Sequence, residues 1–317
     1  MTAWSIPFYS NGALLVMWGA LIMHLLLPLP RASHPMALWR KFAELLAAKV
    51  NGRHSYSQSM LSGTLALLLM LLPALAVLWA MKPLVWQPQL FDLALLLLAL
   101  DWRNTETFGQ RFTVALAHDD KPGARRILAP WVNRSTDTLS PLGLGKAGTE
   151  TLVVGYGRNL IAVLFWYGLL GGIGALCYRL ILELARGWSP SRQQYSPFGL
   201  PAVRLLAWLD VIPLRLLAAM VATGQRGREV WQLIKQQTPS WPLPGPAWLL
   251  VAVGAKLQLT LGGPAIYQQQ KAVRAKIGGR IAPSALHLAQ VRKLLFGRAM
   301  LWIFLQSLVM GVLYHGV

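Results

Sequence analysis

Arginine is the residue type in this chain with the clearest chemical potential. Ala124-Arg125-Arg126 is followed by Arg134, so guanidinium groups stand about nine residues apart in one polar stretch. The planar fork of arginine matches a phosphate or a carboxylate with two parallel hydrogen bonds. Nine residues is about two and a half helical turns, so only tertiary folding can converge the two groups. The competing reading is a solvated basic surface facing anionic headgroups.

Other chemical templates find little. Gly143-Leu-Gly-Lys146 with Thr149 lacks the spacing of a phosphate loop and reads as a flexible connector. The six histidines, His24, His34, His54, His118, His287 and His315, are scattered without metal-ligand spacing. No Gly-x-Ser-x-Gly elbow occurs. A single cysteine, Cys177, sits in an apolar run, which excludes an internal disulfide and a multi-cysteine metal site. Gly168, Gly171, Gly172 and Gly174 share one apolar run and suit close helix packing.

The elements that must position any site are membrane helices. Of 317 residues, 55% are hydrophobic and 13% charged, and the mean hydropathy is +0.45. Soluble domains carry about 25% charged residues. Met60–Met81 is 22 residues without a charge, about 33 Å as a helix against a hydrocarbon core of about 30 Å. Gly12–Pro30, Asn159–Tyr178 and Ala299–Val317 are also uncharged and long enough to span. Leu84–Leu100 is a marginal fifth span containing Asp92. Gly12–Pro30 lacks a basic flank and a cleavage site, so it reads as a retained span rather than a signal peptide. The net charge of +19 points to cytoplasmic loops on anionic lipid rather than to nucleic acid.

The expected fold is therefore all-α: a polytopic helical membrane protein in one domain, 1–317, with about five transmembrane helices and amphipathic cytoplasmic helices. The cytoplasmic regions are expected near 31–59, 101–158 and 268–298. Within the first, Leu38, Trp39, Phe42, Leu45, Leu46 and Val50 recur at helical spacing, as in a helix lying on the membrane surface. Parity then creates a conflict. If every apolar segment crosses, 268–298, with seven basic residues and no acid, lies outside, against the positive-inside bias. One weak segment must not cross. Ala247–Tyr267 is the expected re-entrant segment, because it holds Lys256 and ends in Gly262-Gly263-Pro264.

The order of motifs resembles the CobD/CbiB family, the adenosylcobinamide-phosphate synthases of cobalamin biosynthesis, nearly end to end. Leu25–Pro35 (LLLPLPRASHP), Gly123–Thr136 (GARRILAPWVNRST), Glu150-Thr151, Tyr178-Arg179, Ile212-Pro213-Leu214-Arg215-Leu216 and Leu261–Tyr267 (LGGPAIY) carry the resemblance. It implies a bacterial inner-membrane ligase that amidates adenosylcobyric acid with aminopropanol phosphate, using ATP and Mg²⁺, with the corrinoid as substrate. It further implies substrate binding by His34, Arg125, Arg134, Thr136, Arg179, Arg215, Gly262, Gly263 and Tyr267. Glu150 is the expected catalytic acid and metal ligand, with Asp137 and Asp210 as other candidates. Expected partners are the lipid bilayer, the corrinoid and the phosphorylated amine, with no nucleic acid. A homo-oligomer or contacts with other cobalamin-assembly membrane enzymes are further possibilities.

The departures from the family pattern are systematic. Positions of an E-N-x-x-D-G segment read Val154, Gly155, Arg158 and Asn159, and the family Asn before I-P-x-R is Asp210. Family Asp positions in the first segment read His24 and Pro28. Acidic positions are lost while apolar, Gly and Arg positions stay. Leu164-Phe165-Trp166 and Asp210…Pro213…Arg215 are also similar to AmpE, a membrane family linked to β-lactamase regulation. The alternative function is thus a non-catalytic sensor or scaffold.

Overall fold

The computed structural model describes residues 12–27, 35–52, 55–267 and 270–315. Its helices are α1 (Ala13–Leu26), α2 (Met36–Val50), α3 (Tyr56–Met81), α4 (Pro88–Ala99), α5 (Trp102–Ala117), α6 (Lys121–Leu128), α7 (Pro141–Tyr156), α8 (Ala162–Gly187), α9 (Leu200–Ala222), α10 (Gly227–Gln237), α11 (Pro244–Lys256) and α12 (Ala285–His315). Local signals set several starts. Ser55 caps α3 and Gln58 returns the bond, a full capping box. Proline occupies the first turn of α4, α6, α7, α9 and α11, where its missing N–H costs nothing.

Four stretches are long and apolar enough to cross a membrane: Tyr56–Leu84, Pro141–Gly187, Leu200–Ala222 and Ala285–Val312. This is not the set of five expected from sequence. The segments at Gly12–Pro30 and Leu84–Leu100 form the shorter helices α1 and α4, of 14 and 12 residues. Apolar side chains face outward on α3, among them Leu61, Leu65, Leu68, Leu69 and Leu72, as a lipid-facing helix requires.

The stretch Pro141–Gly187 is not a straight rod. Gly157–Ile161 forms a π-helical turn that joins α7 to α8, and Gly171, at φ 67° and ψ −160°, breaks α8. That backbone region is open essentially to glycine alone. As one straight helix, Asn159 and Arg186 would stand about 40 Å apart. Instead Arg186 Nη2 donates to Asn159 Oδ1 at 3.1 Å, and Arg179 Nη1 donates to the same oxygen at 3.2 Å. The chain therefore descends from Asn159 to Gly171, turns and comes back. Twelve residues of descent reach about 18 Å, over half of a hydrocarbon core of about 30 Å. At the tip, Gly172 N–H donates to Asp92 Oδ1 of α4 at 3.2 Å.

The chain turns back at a different segment from the one expected. Arg179, after the turn, is held beside Asp101 and Asn159, before it. The residues after the hairpin thus return to the face they left. Ala247–Tyr267 does not form a membrane hairpin of its own. Its helical part, α11, is enclosed by protein along nearly its whole length and packs on α9. Lys256 ends that helix by donating to the carbonyls of Thr223 and Gln225 at 2.7 and 2.6 Å. Its remainder enters a small ribbon of β1 (Thr260–Gly262), β2 (Ala265–Tyr267), β3 (Gln270–Ala272) and β4 (Lys276–Gly278). β1 pairs with β4 and β2 with β3, both antiparallel. Gly262 and Gly263, at φ 72° and 91°, make the break between β1 and β2. The fold is mostly helical, as the composition requires, with this ribbon as its one departure among the described residues.

α2 is two-faced as expected. Leu38, Phe42 and Leu45 are exposed, while Trp39 donates to the Leu180 carbonyl at 3.2 Å and Arg40 reaches Glu183. An exposed apolar stripe on a helix docked by its polar face suits a membrane surface. α9 carries a similar stripe at Trp208, Ile212 and Leu216. Both ends of α9 are tied to the polar layer: Gly199 packs on the Trp188 backbone and Thr223 holds Lys256.

Candidate functional site

Where the hairpin arms, α2, α9 and the ribbon meet, they enclose a chamber of about 770 Å³. Arg40, Arg134, Arg158, Arg179, Arg186, Arg192 and Arg274 line it, with Glu44, Asp101, Glu150 and Glu183 as its acids. The helical spacing of α7 explains one wall. Glu150, Thr151, Val154, Gly155 and Arg158 lie on one face and all line the space.

One end of the chamber is organised by Glu150. Its Oε1 accepts the Gly262 N–H at 2.8 Å. Its Oε2 lies 3.3 Å from Arg134 Nη2 and 3.3 Å from both terminal nitrogens of Arg274. Arg274 also donates Nε to the Gly263 carbonyl at 3.1 Å and lies over the Trp241 ring, 5.2 Å from its centroid. The glycines earn their place here by backbone approach: a Cβ on Gly262 would meet the Ala275 carbonyl and Trp241. One carboxylate thus anchors two guanidinium groups and the turn of the ribbon. Burial holds the Arg134 pKa below the usual arginine range; Glu150 opposes that shift and Arg274 adds to it.

At the other end, the π-helical turn presents Arg158 and Asn159 together. Arg158 Nη2 and Nε lie 2.7 and 2.8 Å from Oδ2 of Asp210, which is fully buried and whose Oδ1 accepts the Tyr178 hydroxyl at 2.7 Å. Two departures from the family pattern are therefore two halves of one ion pair. Arg179 bridges Asp101 at 3.0 Å and Glu183 at 2.7 Å, and Arg40 and Arg186 also approach Glu183, at 3.2 and 3.9 Å. The Arg179 Nε is buried without a hydrogen-bond partner.

Of the residues expected from sequence, Glu150, Arg134, Arg179 and Tyr267 line the chamber, and Gly262 and Gly263 shape its wall. Arg125 is not brought to it: the Arg125 Nη2 donates to the Leu139 carbonyl at 2.9 Å and braces the loop after α6. Arg125 and Arg134 are thus not brought together at the chamber, where Arg274 shares the Glu150 carboxylate with Arg134. Arg215 stacks on Trp248, 4.8 Å from the ring centroid, outside the chamber lining. Thr136 is buried and is not part of the lining. His34 lies outside the described residues. Asp137 is exposed and away from the chamber. Sequence reasoning missed Asp101, Glu183, Arg186 and Arg274. The spacing Arg179…Glu183…Arg186 on one helix face was the available signal. Nothing local marked Arg274.

The fold and this chamber define a polytopic helical membrane protein that gathers arginines around one open-sided polar chamber. Comparison with known proteins gives the family. Residues 17–295 match the CobD/Cbib protein family, and the chain belongs to it. It is 30% identical over 285 residues to a cobalamin biosynthesis protein CobD of Stutzerimonas stutzeri, covering 90% of this chain and 94% of that one. Over 302 residues it is 28% identical to a protein of the same description from Chromobacterium violaceum, covering 94% and 96%. No solved structure matches it.

Proposed function

We propose that the chain acts in the bacterial inner membrane as an adenosylcobinamide-phosphate synthase, joining aminopropanol phosphate to adenosylcobyric acid at the chamber's cytoplasmic face. The observation that supports this most directly is the chamber itself: its guanidinium groups outnumber its carboxylates. Overall, carboxylate and ammonium give an amide and water, and ATP drives the step by taking that oxygen into phosphate. Phosphates and a carboxylate must then be crowded together out of bulk water. Fixed guanidinium groups offset that repulsion and orient the anions bidentately. The corrin ring exceeds the chamber and belongs at its mouth, with the reacting propionate inside.

Glu150 fits a positioning role better than a metal-ligand role. Its oxygens are taken by Gly262, Arg134 and Arg274. Among the described residues no group of three or more His, Cys, Asp or Glu is placed to hold a metal ion. Any Mg²⁺ would be held chiefly by substrate phosphates with one or two carboxylates at most, and the arginines supply further charge compensation.

The same observation favours a second reading, a non-catalytic protein that binds an anionic ligand, since each chamber carboxylate apart from Glu44 is described as paired with arginine. Purified protein with Mg²⁺, ATP, adenosylcobyric acid and aminopropanol phosphate decides between them. Formation of the amide with release of ADP or AMP supports the synthase. Ligand binding without turnover leaves the second reading.

A further inference from the structure

We propose that the chamber binds two anionic groups at once, on separately anchored subsites about 12 Å apart, and that Arg158, Arg179 and Arg186 form the inner one. This deepens the preceding reading by assigning its anions to positions, and it rests on that reading only for the identity of the natural ligands.

The separation follows from α7. Glu150 on α7 and Arg158 on the π-helical turn that continues it are eight residues apart and both line the chamber, which is about 12 Å of rise. Each end has its own anchor. Glu150 holds Arg134 and Arg274. Asp210, Asp101 and Glu183 hold Arg158, Arg179, Arg186 and Arg40. Each end therefore keeps one guanidinium more than it has carboxylates. Excess charge on the buried members, Arg134 and Arg179, is costly unless a counter-ion shares it.

Two further observations point to a ligand. Arg179 is 5% exposed, lines the chamber and leaves its Nε buried with no partner. Among the described residues Arg134 makes one side-chain hydrogen bond, to Glu150, and it lines the chamber. A guanidinium has five N–H donors and no acceptor, so unfilled donors here select an anion with several oxygens. Phosphate and phosphonate groups satisfy that geometry better than chloride. The inner subsite also has a device for holding its arginines together: Asn159 Oδ1 accepts from both Arg179 and Arg186.

The test uses the full-length protein in detergent and needs no turnover. Calorimetric titrations compare methylphosphonate with alkane-α,ω-bisphosphonates of graded length. Two fixed subsites predict that affinity peaks at a spacer near 12 Å, on the order of 100-fold above methylphosphonate. Arg134→Gln and Arg186→Gln should each reduce the best bisphosphonate to the affinity of the monophosphonate. Arg186 is half-exposed and paired only at 3.9 Å, so its removal leaves no buried carboxylate alone. Arg134→Lys, which keeps the charge and loses the fork, should lie between wild type and Arg134→Gln. A flat dependence on spacer length, or sensitivity to only one of the two arginines, overturns the proposal. Failure of amide synthesis with this length dependence intact would overturn the synthase reading and leave the two subsites standing.

Discussion

Replacing Arg158 by methionine leaves Asp210 with no cation in a site it cannot leave. Asp210 is fully buried and would keep only the Tyr178 hydroxyl at 2.7 Å. Removing one partner of such a pair costs about 3–5 kcal/mol, because the remaining charge keeps its desolvation penalty. Asp210→Asn is milder. The amide retains an acceptor for Tyr178, and Arg158, which lines the chamber, stays in reach of water. Its cost should be about 1–3 kcal/mol. Once Asp210 is neutral, Arg158→Met removes little more, so the double variant should resemble Asp210→Asn. The coupling energy then approaches the whole cost of Arg158→Met, about 3–5 kcal/mol. Reversible unfolding in mixed micelles, titrated with a denaturing detergent and followed by circular dichroism, measures all four corners of the cycle. If the two single effects add to within about 0.5 kcal/mol, the pair is not coupled and the argument fails.

Three other outcomes are expected. In a Cys177→Ala background, single cysteines at His118, Gln193 and Lys293 should be labelled from the same side of the membrane, and one at Trp86 from the opposite side; labelling of Gln193 opposite to His118 would mean that the α7–α8 stretch crosses. Gly171→Ala should destabilise the protein by about 1–3 kcal/mol, since alanine is strained at φ 67° and ψ −160°; an unchanged unfolding midpoint would contradict the turn. Glu150→Gln should lower turnover at least 10-fold with normal expression, as it frees Arg134 and Arg274 from their shared anchor; full activity would remove Glu150 from the site.

Much of the frame was legible in the sequence. Uncharged runs near 20 residues can only be membrane or core helices, because a helix satisfies its own backbone in lipid. The positive-inside bias called for one apolar segment that fails to cross. Part of the chamber lining was legible too, since Arg134, Glu150, Arg179 and Tyr267 stood in motifs whose order resembled the family and all line the chamber.

Which segment turns back was decided by tertiary contacts. Asn159–Tyr178 looks like a good span because hydropathy counts residues and cannot see a backbone angle. Gly171 permits the turn, but Asn159 meeting Arg179 and Arg186 across the hairpin is what commits the chain to it. Partner choice among arginines was equally hidden. Arg125 and Arg134 lie close in sequence, yet Arg134 shares its carboxylate with Arg274, 124 positions beyond Glu150. A guanidinium pairs with whichever carboxylate the fold brings within about 3 Å, and that distance is a property of packing. By itself the sequence determined the solvent this protein lives in, its helices and its excess of positive charge. The return of the hairpin, and with it the gathering of that charge into one chamber, exists only once the helices pack.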